Sequence, residues 1–292
     1  MKIALIGAHG QLGTDIQKVF AQDDFFSVTP LSHKDMEITD IQNGKTLLEQ
    51  IVPDVVINTS AYHKVDEVEE NPDKAFLVNA TAEKNLAELC NRNNWALVFL
   101  STDYVFGLET DRNIPYKETD SPGPLNMYGL SKLAGEYATR YIAPKHFVIR
   151  VCGLFGTAGA SGKGGGNIVD SAINLVKEKG EINVDAEQFF TPTYTKNVAE
   201  NLKELLKTDA YGLYHMTSEG ACSRWEFVQE IFNQLRMKVK CNKVDARFFK
   251  TRSRRPKYSV LEKYNLNKIN LNKMRDWKEN LTSYLKEKGY LS

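Results

Sequence analysis

The sequence predicts an α/β fold in which a doubly wound, Rossmann-like parallel sheet is followed by a smaller C-terminal α/β domain. In the first 151 residues, short apolar runs alternate with longer amphipathic runs, a pattern typical of parallel strands covered by helices on both faces. A glycine-rich turn, "GAHGQLG", directly follows the first apolar run and opens the first amphipathic one. This order of strand, glycine turn and helix is typical of dinucleotide-binding domains.

Five apolar runs predict the strands of the sheet, at residues 2–6, 26–31, 54–58, 96–100 and 146–151. Amphipathic runs predict helices after the first four strands, at residues 11–21, 41–51, 72–93 and 125–142. Because crossovers between parallel strands are right-handed, these helices are expected on both faces of one sheet.

The pattern loosens after residue 151. A stretch at 156–167 has six glycines in twelve positions, which predicts a flexible loop or a simple linker. Helical runs follow at 168–179, 196–207, 223–235 and 271–287, with a strand-like run at 212–216. We therefore predict a dinucleotide-binding domain at residues 1–151, to which the chain returns at roughly 192–217. Residues 152–292 are expected to form most of a substrate-binding domain.

Composition and charge exclude several classes of protein. The formal net charge of +1 gives no global field for nucleic acid or an anionic membrane, and no apolar run approaches the ~18 residues of a membrane span. The four cysteines are scattered without a C-x-x-C pair, which favours a reduced, cytoplasmic protein. The five histidines form no metal-binding spacing. Asp15 is a single carboxylate, and one carboxylate does not make a metal site. No metal site is therefore predicted.

The glycine turn carries the predicted cofactor site. Gly7, Gly10 and Gly13 are spaced three apart, and Gln11 and Leu12 lie between the last two. Glycine permits a tight turn and lets the backbone approach a pyrophosphate held at a helix N-terminus. The alternative is an ordinary turn between a strand and a helix.

Residues at the end of the second strand predict which cofactor binds. Ser32, His33 and Lys34 offer a hydroxyl and one or two cations, which suit the 2′-phosphate of NADPH. An acidic residue there would favour NAD, by bonding the ribose 2′-hydroxyl. Asp35 and Glu37 follow closely, so NADPH is predicted with NADH as the alternative, and a solvated loop remains open for His33 and Lys34.

A tyrosine and a lysine four residues apart predict proton transfer. Tyr128 and Lys132, in "YGLSKLAGE", lie on one face of a helix. An ammonium group near a phenol lowers the phenol pKa from about 10, so the tyrosine can protonate a carbonyl oxygen as hydride arrives. The same lysine can bond the cofactor ribose. The alternative is a chance spacing on an amphipathic helix.

Four hydrogen-bonding side chains follow the fourth strand in "LVFLSTDYVFG", residues 97–107. They are Ser101, Thr102, Asp103 and Tyr104. The carboxyl ends of parallel strands face the ligand crevice of an open α/β sheet. Thr102 and Asp103 are therefore expected to meet Tyr128 from the next helix.

Taken in order, the motifs identify a family that the sequence resembles. They are "GAHGQLG", "PDVVINTSAYHKVDEVE", "VNATAEKNLA", "STDYVFG", "YGLSKLAGE", "PTY" at 192–194 and "RRPKYSVL" at 254–261. The sequence resembles the extended, sugar-nucleotide branch of the short-chain dehydrogenase/reductase superfamily. Within it, the resemblance is greatest to the dTDP-4-dehydrorhamnose reductase family, and it covers almost the whole chain.

The resemblance implies a role for each matching residue. Thr102, with Ser101 as the alternative, would hydrogen-bond the substrate carbonyl, Tyr128 would donate the proton, and Lys132 would activate the tyrosine and hold the ribose. Several other residues would lie near the cofactor or at the kink of the helix beneath it: Ala61, Tyr62, His63 and Asn79.

Asp103 and Tyr104 would line the sugar pocket, and their pairing favours one reaction. Related 4,6-dehydratases have an Asp–Glu pair at this point, since elimination needs two acid/base groups. Here the aspartate is followed by tyrosine, which favours simple reduction of a ketone over the dehydratase or epimerase alternative.

Three departures from the family pattern fall where the sugar nucleotide is expected. The family's R-T-S-W or R-T-A-W becomes Arg150, Val151, Cys152 and Gly153, so a tryptophan that meets the substrate is replaced by glycine, and Gly153 takes its place in the predicted pocket. The family's D-Q-x-G-x-P-T, here residues 187–193, has Phe190 in place of glycine. An asparagine–phenylalanine pair becomes asparagine followed by isoleucine at 167–168.

The segment "RFFKTRSRRPK", residues 247–257, has six cations in eleven residues. Guanidinium groups bind phosphate oxygens in bidentate fashion, so the segment is expected to contact a substrate phosphate or to anchor a loop. Arg255, which matches the family's R-P, is the predicted ligand. A solvated face is the alternative, and nucleic acid is disfavoured by the neutral overall charge.

The resemblance therefore implies an NADPH-preferring reductase of a nucleotide-linked 4-keto-6-deoxysugar, with dTDP-4-dehydrorhamnose as the first candidate. A different nucleotide sugar is the alternative substrate that the departures leave open. Some relatives are regulatory subunits of methionine adenosyltransferase, so a non-catalytic role is the alternative from another class. A homodimer is an open expectation.

Overall fold

The computed structural model describes residues 1–159, 166–249 and 251–291. Most of the predicted glycine-rich loop, residues 160–165, lies outside the described residues, as do Lys250 and Ser292.

The described chain alternates strands and helices. The strands are β1 (Lys2–Ile6), β2 (Ser27–Leu31), β3 (Val55–Asn58), β4 (Ala96–Thr102), β5 (His146–Val151), β6 (Leu154–Phe155), β7 (Glu181–Asp185), β8 (Phe189–Phe190), β9 (Thr193–Tyr194), β10 (Gly212–His215), β11 (Cys222–Ser223) and β12 (Lys240–Val244). The helices are α1 (Gln11–Phe20), α2 (Ile41–Ile51), α3 (Val65–Glu70), α4 (Pro72–Phe76), α5 (Ala82–Arg92), α6 (Met127–Ile142), α7 (Ile168–Lys179), α8 (Thr195–Leu205), α9 (Arg224–Gln234), α10 (Tyr264–Lys268) and α11 (Trp277–Glu287).

Six parallel strands form the central sheet, in the order β2–β1–β3–β4–β5–β10. Successive side chains of β1 enter different cores, as a strand buried on both faces requires. Ile3 and Leu5 pack with α1 and α8, whereas Ala4 and Ile6 pack with α2 and α5. The predicted doubly wound parallel sheet is confirmed.

The chain order in this sheet places a ligand crevice next to β1. After β1 the chain moves to β2 on one side, and it then returns to β3 on the other side. Ligands of open α/β sheets bind at such a switch point, outside the carboxyl ends of the strands. The glycine turn that follows β1 therefore lies at the expected mouth of the site.

The long helix predicted at 72–93 is interrupted. It consists of α4, a π-helical turn at Leu77–Thr81, and α5. A π turn carries one extra residue per turn and shifts the helix register, frequently at a functional site. The short helix α3 precedes α4 and lies between the predicted strand at 54–58 and the predicted helix at 72–93.

The fourth strand is longer than predicted. It was expected to end at residue 100, but the pairing with β5 continues to the pair Thr102 and Val151. Ser101 and Thr102 are therefore held by the sheet rather than by a loop.

The C-terminal half builds a second core from α7, α9 and α11. Three strand pairs surround it: β7 with β12, β8 with β11, and β6 with β9. Most of these strands have two residues, too few for a period-2 pattern to show in the sequence. The division into a dinucleotide-binding and a substrate-binding domain stays a prediction.

Candidate active site

The glycine turn after β1 is packed against the end of β3. Gly7 has φ +77°, and a Cβ there would lie 2.6 Å from Thr59 Oγ1, so only glycine fits. A Cβ on Gly13 would overlap the backbone of Gly7 and Ala8. The backbone N–H of Gly7 donates to the Leu31 carbonyl at 3.1 Å, which ties the turn to β2.

The N-terminus of α1 is open for an anion. Gly10 immediately precedes the helix as its N-cap residue. No described side chain caps the free amides of α1, and its first turn has no acidic residue. Gln11 Oε1 is buried and has no hydrogen-bond partner within the described chain. Free N–H groups at a glycine-lined helix start fit the pyrophosphate of a dinucleotide.

The residues expected to choose the cofactor lie just beyond β2. The Ser32 hydroxyl donates to Asp35 Oδ2 at 2.5 Å, and His33 Nδ1 lies 3.0 Å from Glu37 Oε2. Both acidic residues that left NADH open are thus engaged by their neighbours, and Lys34 is exposed.

The segment after β3 is fixed by Asn79 in the π turn. Asn79 accepts a hydrogen bond from the Tyr62 N–H at 2.9 Å and donates one to the Tyr62 carbonyl at 3.0 Å. It also donates to Ser131 Oγ on α6 at 3.0 Å. Asn79 therefore clamps the predicted cofactor segment, with Ala61 and His63 on either side of Tyr62, against α6.

Thr102 ends β4 and adjoins Tyr128 in the first turn of α6, and Lys132 lies one turn further along the same helix. We call these three residues the catalytic wall. The Thr102 hydroxyl lies close enough to the Tyr128 phenol to lower its pKa, and it donates to Asp103 Oδ1 at 3.1 Å. Asn126 caps α6 by accepting from the Gly129 N–H at 2.8 Å. Gly129 lets the helix approach the backbone of Tyr104 too closely for any Cβ.

Burial raises the pKa of Tyr128 above its usual value, and the hydrogen bond from Thr102 opposes the shift. The expectation that Lys132 lowers this pKa is not met: Asp103 and Tyr104, rather than the lysine, are the further groups that act on it. The reason is the direction of the lysine side chain, whose Nζ lies 3.9 Å from the centroid of the Phe99 ring.

Lys132 is a buried ammonium between two buried carboxylates. Its side chain is 1% exposed, and burial lowers its pKa while Glu83 and Glu136 raise it. Its Nζ has no hydrogen-bond partner among the residues that the structure describes. Such an orphaned donor at the base of the crevice fits a ribose hydroxyl of the cofactor.

Glu83 is one of two acidic residues that sequence reasoning missed. Its carboxylate accepts from Asn58 Nδ2 at 2.7 Å and from Thr139 Oγ1 at 2.9 Å. Burial raises its pKa, and Lys132 lowers it. It joins β3, α5 and α6 directly beneath the lysine.

The second missed residue, Glu136, lies one turn beyond Lys132 and pairs with Arg150. The two N–H···O bonds are 2.8 and 2.7 Å, and both side chains are almost wholly buried. Ser101 also donates to Glu136, and Arg150 Nη1 lies 3.3 Å from His215 Nε2. This brace connects α6 to β4, β5 and β10. An arginine inside the apolar run "HFVIRV" was the available signal.

Asp103 is a junction rather than an open pocket residue. It is 4% exposed, and its Oδ2 accepts from Ser259 Oγ at 2.6 Å and from Cys152 Sγ at 3.0 Å. Burial raises its pKa, and these hydrogen bonds oppose the shift. It therefore holds the segment that follows β5 and the segment around Ser259 to the end of β4.

Gly153, Phe190 and Arg224 line the other side of Tyr104, and we call them the substrate wall. Gly153 has φ +51°, and a Cβ there would lie 2.6 Å from the Phe190 ring. Arg224 lies 5.1 Å from the same ring centroid, and its Nη2 donates to Tyr104 Oη at 3.3 Å. The ring of Tyr104 is edge-on to that of Tyr128, with 6.1 Å between centroids. The two departures at 153 and 190 are thus in contact.

The basic segment lies along the acidic helix α3. Arg255 pairs with Asp66 at 2.9 Å, and Arg252 forms an ion pair with Glu70. The Arg254 carbonyl accepts from Asn126 Nδ2 at 2.9 Å. These contacts are loop-anchoring ones, and the predicted ligand Arg255 is itself a member of an ion pair.

Asp15 faces the interior. Its Oδ2 accepts from Thr195 Oγ1 at 2.5 Å, between α1 and α8, and burial raises its pKa. Within residues 1–159, 166–249 and 251–291, no cluster of three metal-ligating side chains is found, and no helix of these residues is long and apolar enough to span a membrane.

Known proteins resemble this chain over its full length. The family model described as the RmlD substrate binding domain matches residues 1–289. The spore coat polysaccharide biosynthesis protein SpsK of Bacillus subtilis is 32% identical over 288 residues, 99% of this chain and 98% of the relative. A dTDP-4-dehydrorhamnose reductase structure from Clostridium acetobutylicum is 35% identical with a TM-score of 0.92, covering 98% of this chain and 99% of that one. The dTDP-4-dehydrorhamnose reductase of Bacillus anthracis in complex with NADP is 34% identical with a TM-score of 0.90, covering 98% of both chains.

These matches cover the glycine turn, the catalytic wall and the substrate wall together. The chain therefore belongs to the dTDP-4-dehydrorhamnose reductase family, in the extended branch of the short-chain dehydrogenases/reductases, as its motifs predicted.

Proposed function

We propose that this protein is an NADPH-dependent reductase of a nucleotide-linked 4-keto-6-deoxysugar, with dTDP-4-dehydrorhamnose, reduced to dTDP-rhamnose, as the leading substrate. One observation carries the proposal. The Tyr128 phenol lies beside Thr102 at the carboxyl end of β4, where the Thr102 hydroxyl lowers the pKa of that phenol against the effect of burial. Both groups lie on the crevice next to the glycine turn.

The cofactor would be held by three parts of the chain. The free amides at the start of α1 bind the pyrophosphate, Ser32, His33 and Lys34 face the ribose 2′-phosphate, and the orphaned Lys132 ammonium bonds the ribose. When bound, NADPH supplies the hydride for the substrate carbonyl. The NADP complex of the Bacillus anthracis relative supports this choice.

The catalytic wall supplies the proton. Because burial raises the pKa of Tyr128, its phenol stays protonated at neutral pH and is available as a general acid. On substrate binding, the Thr102 hydroxyl hydrogen turns from Asp103 to the substrate carbonyl oxygen, because a hydroxyl has a single donor. That oxygen then lies between the hydroxyl groups of Thr102 and Tyr128. Lys132 adds positive charge beneath the site, where negative charge develops on the oxygen.

Reduction is favoured over elimination and over a non-catalytic role. The Asp103 carboxylate is buried and engaged by Ser259, Cys152 and Thr102, so it is a poor acid/base group for elimination, and Tyr104 supplies no second carboxylate. A purely regulatory protein does not need a proton donor, Tyr128, next to a hydroxyl that binds the carbonyl oxygen, Thr102.

The substrate wall supports a second candidate, the reduction of a different nucleotide sugar. The ring of Phe190 packs where a side chain at 153 would lie, so the sugar meets a surface unlike the family's tryptophan. The substrate wall, rather than the catalytic wall, selects the nucleotide base and the substituents of the sugar.

The four cysteines support a reducing compartment, because Cys90, Cys152, Cys222 and Cys241 are all free thiols, and three of them are buried. We therefore propose a cytoplasmic location. A homodimer stays a prediction.

The test is NADPH oxidation against a panel of nucleotide-linked 4-ketosugars, including dTDP-4-dehydrorhamnose and its UDP and GDP counterparts. We expect consumption of NADPH with at least one of them, and lower kcat/KM with NADH. Tight binding of NADPH without consumption on any sugar would contradict the proposal and favour a regulatory role.

A further inference from the structure

Arg224 is a fixed cation at the edge of the active site. It begins α9, directly after β11. Its Nε donates to Gln188 Oε1 at 2.8 Å, its Nη2 donates to Tyr104 Oη at 3.3 Å, and its guanidinium lies over the Phe190 ring. Held on three sides, the group has one orientation, toward the tyrosines of the site.

The charge of Arg224 is unpaired, unlike that of the comparable arginines. Four arginines are wholly or partly buried in the described chain: Arg112, Arg150, Arg224 and Arg255. Arg112 pairs with Glu109 and Asp120, Arg150 with Glu136, and Arg255 with Asp66. The two hydrogen bonds of Arg224 go to neutral oxygens.

An unpaired, partly buried guanidinium is costly unless an anion completes it. Of its five N–H donors, two are used by Gln188 and Tyr104. Asp103 acts on Arg224 through its charge but forms no ion pair with it, and its carboxylate is engaged by Ser259 and Cys152. The donors that remain can bind an anionic oxygen group in bidentate fashion.

We propose that Arg224 is a substrate-specificity residue that binds an anionic oxygen group of the sugar nucleotide. The inference rests on the proposed function for the identity of the substrate. Tyr104 separates Arg224 from Tyr128, so the anion lies away from the reacting carbonyl. Two groups of a nucleotide sugar fit this position: the diphosphate on C1, across the ring from C4, and a carboxylate on the sugar.

The departures at positions 153 and 190 belong to the same arrangement. Gly153 leaves space that the Phe190 ring fills, and that ring supports the guanidinium of Arg224. A planar guanidinium can stack on a ring face, which a lysine ammonium cannot do. The substrate wall is thus built around one positive charge.

The test compares the wild type with Arg224→Gln by calorimetry on the NADP-bound protein. The probes are dTDP, UDP-glucose and UDP-glucuronate. The last two differ only at C6 of the sugar, which is a hydroxymethyl group in UDP-glucose and a carboxylate in UDP-glucuronate. If Arg224 binds the diphosphate, Arg224→Gln weakens dTDP binding about tenfold or more, the scale of a lost charge-assisted hydrogen bond. If it binds a sugar carboxylate, dTDP binding is unchanged and any preference for UDP-glucuronate over UDP-glucose is lost.

Unchanged affinity of Arg224→Gln for all three probes would overturn the proposal. Arg275→Gln is the matched control, because Arg275 pairs with Glu200 on the surface and should leave every affinity unchanged. Arg224→Lys keeps the charge and should bind with intermediate affinity, which separates a charge effect from misfolding. Because binding is measured without turnover, failure of the reductase assay and failure of this proposal are distinguishable.

Discussion

The catalytic wall and the substrate wall face the same crevice, but they are built differently. Buried carboxylates hold the catalytic wall from below, through Glu83 and through the Glu136–Arg150 brace. The substrate wall is held by ring packing and by one arginine without a carboxylate partner in the described chain. The first matches the family motifs residue by residue, and the second departs from them. The comparison indicates that the catalytic wall determines the reaction, which is shared with the family, and that the substrate wall determines the substrate, which can differ between members.

The largest effect is expected from Tyr128→Phe. Removing the general acid should lower kcat by about 10²–10⁴-fold, while NADPH binding stays near the wild-type value. The check is steady-state kinetics together with fluorescence titration of NADPH. Tyr137→Phe is the control, since Tyr137 lies on the same helix and is 53% exposed. Turnover of Tyr128→Phe close to that of Tyr137→Phe would sink the assignment of the catalytic wall.

The second-largest effect is expected on the free energy of unfolding, when the Glu136–Arg150 brace beneath the catalytic wall is broken. Arg150→Met leaves the Glu136 carboxylate buried without its partner, so the free energy of unfolding should fall by about 3–5 kcal/mol. Urea unfolding measures it. The double variant Glu136→Leu/Arg150→Met should recover much of the loss. The surface pair of Arg275 and Glu200 gives the control, for which Arg275→Gln should cost about 0–1 kcal/mol. Equal losses for both arginines would show that the brace is not structural.

A smaller effect is expected on the pH profile. Burial lowers the pKa of Lys132, and the Glu83 carboxylate opposes that shift by favouring the ammonium. In Glu83→Gln the opposing charge is gone, so the pKa of Lys132 falls further and the ammonium is lost at lower pH. The alkaline limb of kcat/KM should therefore move about one unit or more toward acid.

Glu88→Gln is the control for this profile, because Glu88 lies on the same helix in a surface pair with Lys84. Its alkaline limb should coincide with that of the wild type. A limb that stays in place in Glu83→Gln, or moves toward higher pH, would contradict the charge pairing beneath the site.

The smallest effect concerns contact within the substrate wall. Gly153→Ala should destabilise the protein because its φ is positive and its Cβ meets the Phe190 ring. In a Phe190→Ala background the steric part of that cost should vanish, so a double-mutant cycle should give a coupling of about 1 kcal/mol. Thermal or urea unfolding of the four proteins measures it. Strict additivity would mean that the two departures are independent.

Local patterns predicted the parts of the site that are close in sequence. Tyr128 and Lys132 are one turn apart, and the apolar run before Thr102 marked the end of a strand. The glycine spacing placed the turn after β1 in the same way. In each case the residues belong to one element, so a local pattern was enough to predict where they lie, whereas their roles stay predictions.

Partners from distant segments could not be read in this way. Asp103 binds Ser259, 156 residues further on, and Arg224 reaches Tyr104 across 120 residues. Glu83 and Glu136 looked like ordinary helix charges until the fold buried them. The π turn at Leu77–Thr81 was also hidden, since the amphipathic pattern of the predicted helix runs on through it.

The most direct test of the account follows the hydrogen itself. The wild-type protein is incubated with dTDP-4-dehydrorhamnose and NADPH deuterated at the transferable position, and the sugar product is analysed by NMR. We expect one deuterium at C4 of a reduced sugar, and about 10²–10⁴-fold less of this product over the same time with Tyr128→Phe. A product without deuterium, or with deuterium at another carbon, would contradict reduction by this site.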